Sequence, residues 1–179
     1  FTQKLTPNAR GVLGVRLPAL QSLSKRILRD RPLEFLAADP RDSFEEVMLQ
    51  GMVLAGMTLP LEQRWTLLEP FVARVDNWSV CDSTAMRCKW MQKEREAVWA
   101  RLEPWLLSPR EFTVRFALVA LLAHFMEPEW LDRVFSACDR AAHPGYYARM
   151  AVAWAVSACM AKAPEETLKY LGRDSLEKF

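Results

Sequence analysis

Apolar residues along this chain recur at i, i+3, i+4 and i+7 in long blocks, parted by short breaks that contain proline. Positions three and four apart share one face of an α-helix, so each block reads as a helix with at least one buried face. Alternating Val, Ile, Thr and Tyr segments between glycine-rich turns, the mark of strands, are almost absent. The pattern predicts an all-α protein.

The blocks also repeat. Phe44, Trp78, Phe112 and Tyr146 lie 34 residues apart without a gap, and Leu68-Glu69-Pro70-Phe71 returns at the same interval as Leu102-Glu103-Pro104-Trp105. The spacing aligns Ala55, Lys89, Ala123 and Ser157 at the far end of the first helix of a pair. It also sets Pro60 and Pro128 where the second helix begins, the place at which proline's fixed φ and missing N–H cost least. Helix pairs are therefore expected over about 43–74, 77–107, 110–141 and 145–171, preceded by a helix near 17–29 that follows "GVLGVRLP". A tetratricopeptide unit wants a small residue four positions after the aromatic, and here that position holds Met48, Asp82, Phe116 and Met150. The expected architecture is instead a HEAT-like, ARM-type superhelix: a curved solenoid of antiparallel helix pairs, with one helix of each pair lining a concave side that binds extended ligands. Residues 1–179 are expected to form a single domain of this kind.

The repeat supplies an internal standard for odd residues. Asp82 takes a position that its siblings Met48, Phe116 and Met150 fill with apolar side chains. A carboxylate buried without a partner costs several kcal/mol or shifts its pKa upward, so something must compensate it or use it. Capping a neighbouring helix or pairing with a buried Arg is the structural account. Arg115 and Arg149 stand where earlier units have Val47 and Cys81. They read equally as inter-repeat salt-bridge partners of Asp82 or Glu111 and as a pair of phosphate hooks. Trp65, Trp99, Trp105 and Trp130 fall on second helices and are expected in the packing, whereas Trp78 and Trp154 fall on first helices, where Trp154, with siblings Met52, Met86 and Ala120, also reads as a core residue. Trp78 precedes Asp82 by four residues and shares its face, and an indole beside a carboxylate favours a cation.

Composition narrows the class. A chain of 179 residues, 51% hydrophobic and 26% charged, is long enough for a sizeable core and excludes disordered and fibrous classes. No apolar run approaches the ~18 residues of a membrane span, and "FTQKLTPNAR" lacks a signal-peptide profile. A cytoplasmic monomer that makes no use of membranes is the expectation. The chain opens on Phe1 and closes on "SLEKF", which suggests a piece of a longer protein without its terminal helices. Cys81, Cys88, Cys138 and Cys159 form no CxxC pair, and His124 and His143 stand alone, so no metal site is expected and the cysteines should behave as small apolar residues. A net charge of +2 says little about nucleic acid, because phosphate binding depends on local clusters of cations.

Four segments in order, "GVRLPALQSLSKRI", "VDNWSVCDS", "REFTVRFAL" and "AVAWAVSACMAK", resemble the DNA alkylation repair family, the AlkD-type HEAT-like-repeat DNA glycosylases, over essentially the whole chain. The resemblance implies an arc of helix pairs that cradles duplex DNA and removes purines alkylated at N3 or N7, with no cofactor. It places Trp78, Asp82 and Trp154 at the lesion and Arg115 on the DNA backbone. An alkylated purine is already cationic, so the catalytic task is electrostatic: a carboxylate stabilises the oxocarbenium-like sugar as the bond to the base breaks. The indoles of Trp78 and Trp154 would favour the cationic base. Phosphate contacts would come from Arg115 and Arg149, with Arg16, Lys25, Arg87, Lys89 and Arg110 behind them. Two rivals stand beside this reading: a catalytically weak module that binds distorted or branched DNA, and a solenoid in which Asp82 and the tryptophans bind a peptide.

Overall fold

The computed structural model describes residues 6, 8–38 and 43–173 of the chain; the terminal stretches "FTQKL" and "SLEKF" lie outside them. Every regular element among the described residues is an α-helix or a 3-10 turn, so the protein is all-α. The chain divides between Cys88 and Lys89 into two compact units.

The first unit contains α1 (Leu17–Asp30), α2 (Pro32–Ala37), α3 (Phe44–Gly56), α4 (Leu61–Arg74) and α5 (Trp78–Arg87). Local chemistry sets several of these starts. Ser43 caps α3 by accepting the Glu46 N–H at 3.4 Å while donating its own hydroxyl to the Glu46 carboxylate at 2.6 Å. Asn77 caps α5, its Oδ1 accepting the Val80 N–H at 3.0 Å. Pro60 stands at the N-cap of α4, next to its expected place.

α3 is the centre of this unit, packed against both α1 and α5 and buried on almost every face. Its approach to α5 is unusually close at Gly51. A Cβ there would collide with Thr84 Oγ1 and lie 3.0 Å from Phe71 Cζ. Thr84 is fully buried and bonds back to the Val80 carbonyl at 2.8 Å, which keeps its hydroxyl satisfied inside the packing. Glu45, 3% exposed, reaches the loop before α1: its carboxylate accepts the N–H groups of Leu13 at 2.8 Å, Gly14 at 2.7 Å and Val15 at 3.2 Å. Gly14 has φ +81, a conformation that glycine adopts without strain, and so three successive N–H groups can converge on one carboxylate.

The second unit contains a 3-10 turn at Lys89–Gln92, α6 (Arg95–Leu102), a 3-10 turn at Glu103–Leu107, α7 (Glu111–His124), a 3-10 turn at Pro128–Trp130, α8 (Leu131–Arg140), α9 (Tyr146–Lys162) and α10 (Pro164–Leu171). α7 is buried from Phe112 to Leu121 and packs along α9. A second cluster joins Trp99, Phe125 and Trp130, with ring centroids 4.9 to 5.6 Å apart. The Arg133 guanidinium covers Trp99 and Trp130 at 4.4 and 4.5 Å and pairs with Glu96 at 2.9 Å.

The 34-residue pairs match the observed helices closely, with four departures, the first being that α9 runs on to Lys162 and so Ser157 does not mark its far end. α2 was not expected. α5 ends at Arg87, so Lys89 lies beyond the helix in a 3-10 turn rather than at its far end. Pro104 is the second residue of the 3-10 turn that follows α6, since proline lacks the N–H needed to continue an α-helix, whereas its sibling Pro70 stays inside α4. Trp65, Trp99 and Trp130 are buried as expected, and Trp105 is half-buried.

Candidate functional site

α5 carries the most informative pair. Trp78 is its first residue and half-buried; Asp82 follows one turn later, about 6 Å along the axis, and is 7% exposed. The repeat comparison is confirmed in three dimensions for two siblings: Met48 is 5% exposed and Phe116 fully buried, so the template position is an interior one. Met150, the last sibling, is 46% exposed. Around Asp82 on the same helix, Val80, Cys81, Thr84 and Ala85 are fully buried. The carboxylate therefore sits in a low-dielectric setting, held by the close packing of α5 on α3.

Trp78 also lines a cavity of about 360 Å³ within the first unit. Ser79 and Ser83, small residues on the same helix, form one wall; Arg16, Leu20 and Glu45 form the other. Sequence alone suggested Arg16 and Trp78 separately, and the fold sets them at one cavity. Glu45 was not anticipated there, because its partners are backbone groups of a loop.

The remaining candidates belong to the second unit or to the outer surface. Arg115 is the deepest, 7% exposed, with Nη1 donating to the Tyr147 carbonyl at 2.8 Å and the guanidinium 5.9 Å from the Tyr147 ring. Arg149 and Trp154 share the exposed face of α9, and Trp154, 38% exposed, is the most open of the seven tryptophans. Arg110 is exposed at the N-cap of α7, and Arg16, Lys25 and Lys89 are also exposed. Arg87 is half-buried, its Nη1 3.5 Å from the Ser83 carbonyl.

Two further features bear on chemistry. All four cysteines are buried free thiols. Burial pushes Cys138 up to about 12 and Cys159 up to about 11, which makes them poor nucleophiles. Among the described residues no group of three His, Cys, Asp or Glu side chains is placed to hold a metal ion, and no helix is long and apolar enough to cross a membrane.

A family model described as DNA alkylation repair enzyme matches residues 1–178. Neither a curated protein nor a solved structure matches the chain significantly. The family match spans both units, and with them the buried carboxylate of α5 and the exposed indole of α9. The chain belongs to the DNA alkylation repair enzyme family.

Proposed function

We propose that the chain is a DNA glycosylase that excises cationic N3- or N7-alkylated purines from duplex DNA. The observation that carries this reading is Asp82: a carboxylate at an interior position of the repeat, one turn from a half-exposed indole, in a member of a DNA alkylation repair family. The reading takes the helix pairs of both units as repeats of one HEAT-like domain.

Alkylation at N3 or N7 leaves the purine positively charged, so it departs as a neutral base without prior protonation. As the C1′–N bond breaks, its electron pair goes to the base and positive charge develops on the sugar. Asp82 would stabilise that charge, and its low-dielectric setting strengthens the interaction. Water then adds at C1′ and gives up a proton, for which Asp82 is the acceptor. Trp78 and Trp154 would select the cationic base through their ring faces. Arg149 and Arg110 would meet phosphates, with Arg16, Lys25, Arg87 and Lys89 as further contacts. Arg115 would act from beneath, holding the first turn of the helix that carries Arg149 and Trp154.

The test is release of 3-methyladenine or 7-methylguanine from methylated duplex under single-turnover conditions, by the wild-type protein and by Asp82→Asn. Base release that is lost in the variant supports the reading. Salt-sensitive DNA binding without release selects a catalytically weak module for distorted or branched DNA, and absence of DNA binding sinks both.

A further inference from the structure

α9, "YYARMAVAWAVSACMAK", contains no acidic residue. Its outer face presents Tyr146, Arg149, Met150, Ala153 and Trp154, and Lys162 ends the helix. Other helices differ: α4 exposes Glu62 and Glu69, α6 exposes Glu96 and α8 exposes Asp132. One helix thus combines aromatic and apolar side chains with cations and no carboxylate, the chemistry that suits a polyanion carrying flat bases.

Tyr146 is the outlier on that face. It fills the repeat position held by Phe44, Trp78 and Phe112. Phe44 is 9% exposed and Phe112 is 8%, both part of the packing, yet Tyr146 is 68% exposed. Only Trp78 and Tyr146 among the four escape full burial, and Trp78 is the residue assigned to the lesion. Tyr146, Met150 and Trp154 follow at intervals of four along one stripe, which spans about 12 Å from Tyr146 to Trp154.

The start of α9 also determines what Tyr146 can touch. The Glu111 carboxylate accepts the N–H groups of Tyr147 at 2.5 Å and Ala148 at 3.4 Å, filling the place where a helix N-terminus would otherwise attract an anion. A phosphate is repelled there. The exposed Tyr146 ring, in a T-shaped contact with the Tyr147 ring at 5.3 Å, is suited to meet a nucleobase face, with Arg149 one turn further on suited to a phosphate.

We propose that Tyr146 is a further base-stacking residue of this protein, binding an unstacked base of the DNA that carries the lesion. The inference rests on the DNA-repair reading of Trp154 and Arg149 and adds a contact about 12 Å away from Trp154. Stacking tolerates any base, because every base offers a π face.

The test uses the full chain and two probes, a duplex with one bulged base and a fully paired duplex of the same sequence, with binding followed by fluorescence anisotropy. Tyr146→Ala should weaken binding to the bulged duplex roughly 5- to 100-fold, the loss expected for one stacked base, with less effect on the paired duplex. Tyr146→Phe and Tyr146→Trp should bind within about twofold of wild type, since stacking needs the ring and not the hydroxyl. Equal affinity of Tyr146→Ala and wild type overturns the inference. So does a Tyr146→Phe variant as weak as Tyr146→Ala, which would indicate a hydroxyl contact. A lowered melting temperature or a changed oligomeric state with DNA affinity intact also overturns it, because the ring would then be covered by protein. Stacking loss in a protein that releases no alkylated base supports this inference and sinks the glycosylase reading alone; unchanged binding in a protein that does release base sinks this inference alone.

Discussion

Arg115 and Glu111, one turn apart on α7, hold the two backbone polar groups of Tyr147: Glu111 accepts its N–H at 2.5 Å and Arg115 Nη1 donates to its carbonyl at 2.8 Å. A buried arginine bonded in this way contributes to stability before any DNA arrives. Arg115→Met should destabilise the protein by about 1.5 to 3 kcal/mol, the cost of losing a charged hydrogen bond, as measured by urea unfolding.

Arg115 and Arg149 separate an interior role from a phosphate contact. Arg149→Gln should reduce the magnitude of the slope of log affinity against log salt by about 0.9, one phosphate's share. Arg115→Met should leave that slope nearly unchanged. A slope lowered equally by both would show that Arg115 also reaches the DNA backbone.

Asp82→Asn keeps the shape of the side chain and removes its charge. Base release from methylated duplex should slow by roughly 10² to 10³, the usual loss when one aimed electrostatic group is removed from a transition state. Affinity for the same DNA should be equal to or better than that of wild type, because a carboxylate near phosphates repels them. Equal rates for the two proteins would end the catalytic assignment.

Gly51 lets α3 approach α5, the helix of Trp78 and Asp82. Gly51→Ala forces a methyl group against Thr84 and Phe71, and overpacking of this kind costs about 1 to 3 kcal/mol. Denaturant unfolding should show that loss, and base release should fall as well if the spacing of α5 positions Asp82. Gly145→Ala gives an independent comparison in the second unit, because its methyl group would strike the Glu111 carboxylate.

The buried thiols predict an alkaline limit. Cys138 at about 12 and Cys159 at about 11 both exceed the ordinary 9.0, with burial as the largest cause. Burial likewise raises the Tyr170 phenol, aided by its hydrogen bond to Asp139. Above pH 9 the unfolded thiols lose protons that the folded ones keep, so the native state binds more protons and stability falls as pH rises. The urea midpoint should decline between pH 9 and 11, and less so in the Cys138→Ala, Cys159→Ala double variant. A midpoint that is flat over this range would contradict the burial of both groups.

The 34-residue spacing located most helices because it reports a packing period, and a first helix that must bury Phe44 or Phe112 has few choices of start. It also exposed Asp82, since charge at an interior position is visible once Met48 and Phe116 define that position. Trp78 and Trp154 were separated from the packed tryptophans by falling on first helices rather than second ones. What escaped depends on partners without side-chain pattern. Glu45 binds three loop N–H groups and Arg115 a backbone carbonyl, and no spacing in the sequence records either. The exposure of Tyr146 was equally hidden: an aromatic at a repeat position whose siblings Phe44 and Phe112 are core residues reads as core.

The grip of Glu45 on residues 13–15 bears on how a polynucleotide meets the first unit. Those three amides form a cradle that would otherwise attract a passing phosphodiester, but the protein has filled it with its own anion. Among the described residues, attraction for the nucleic-acid backbone along this loop must come from the exposed Arg10 and Arg16 side chains, so neutralising both guanidiniums should leave only the repulsion of Glu45.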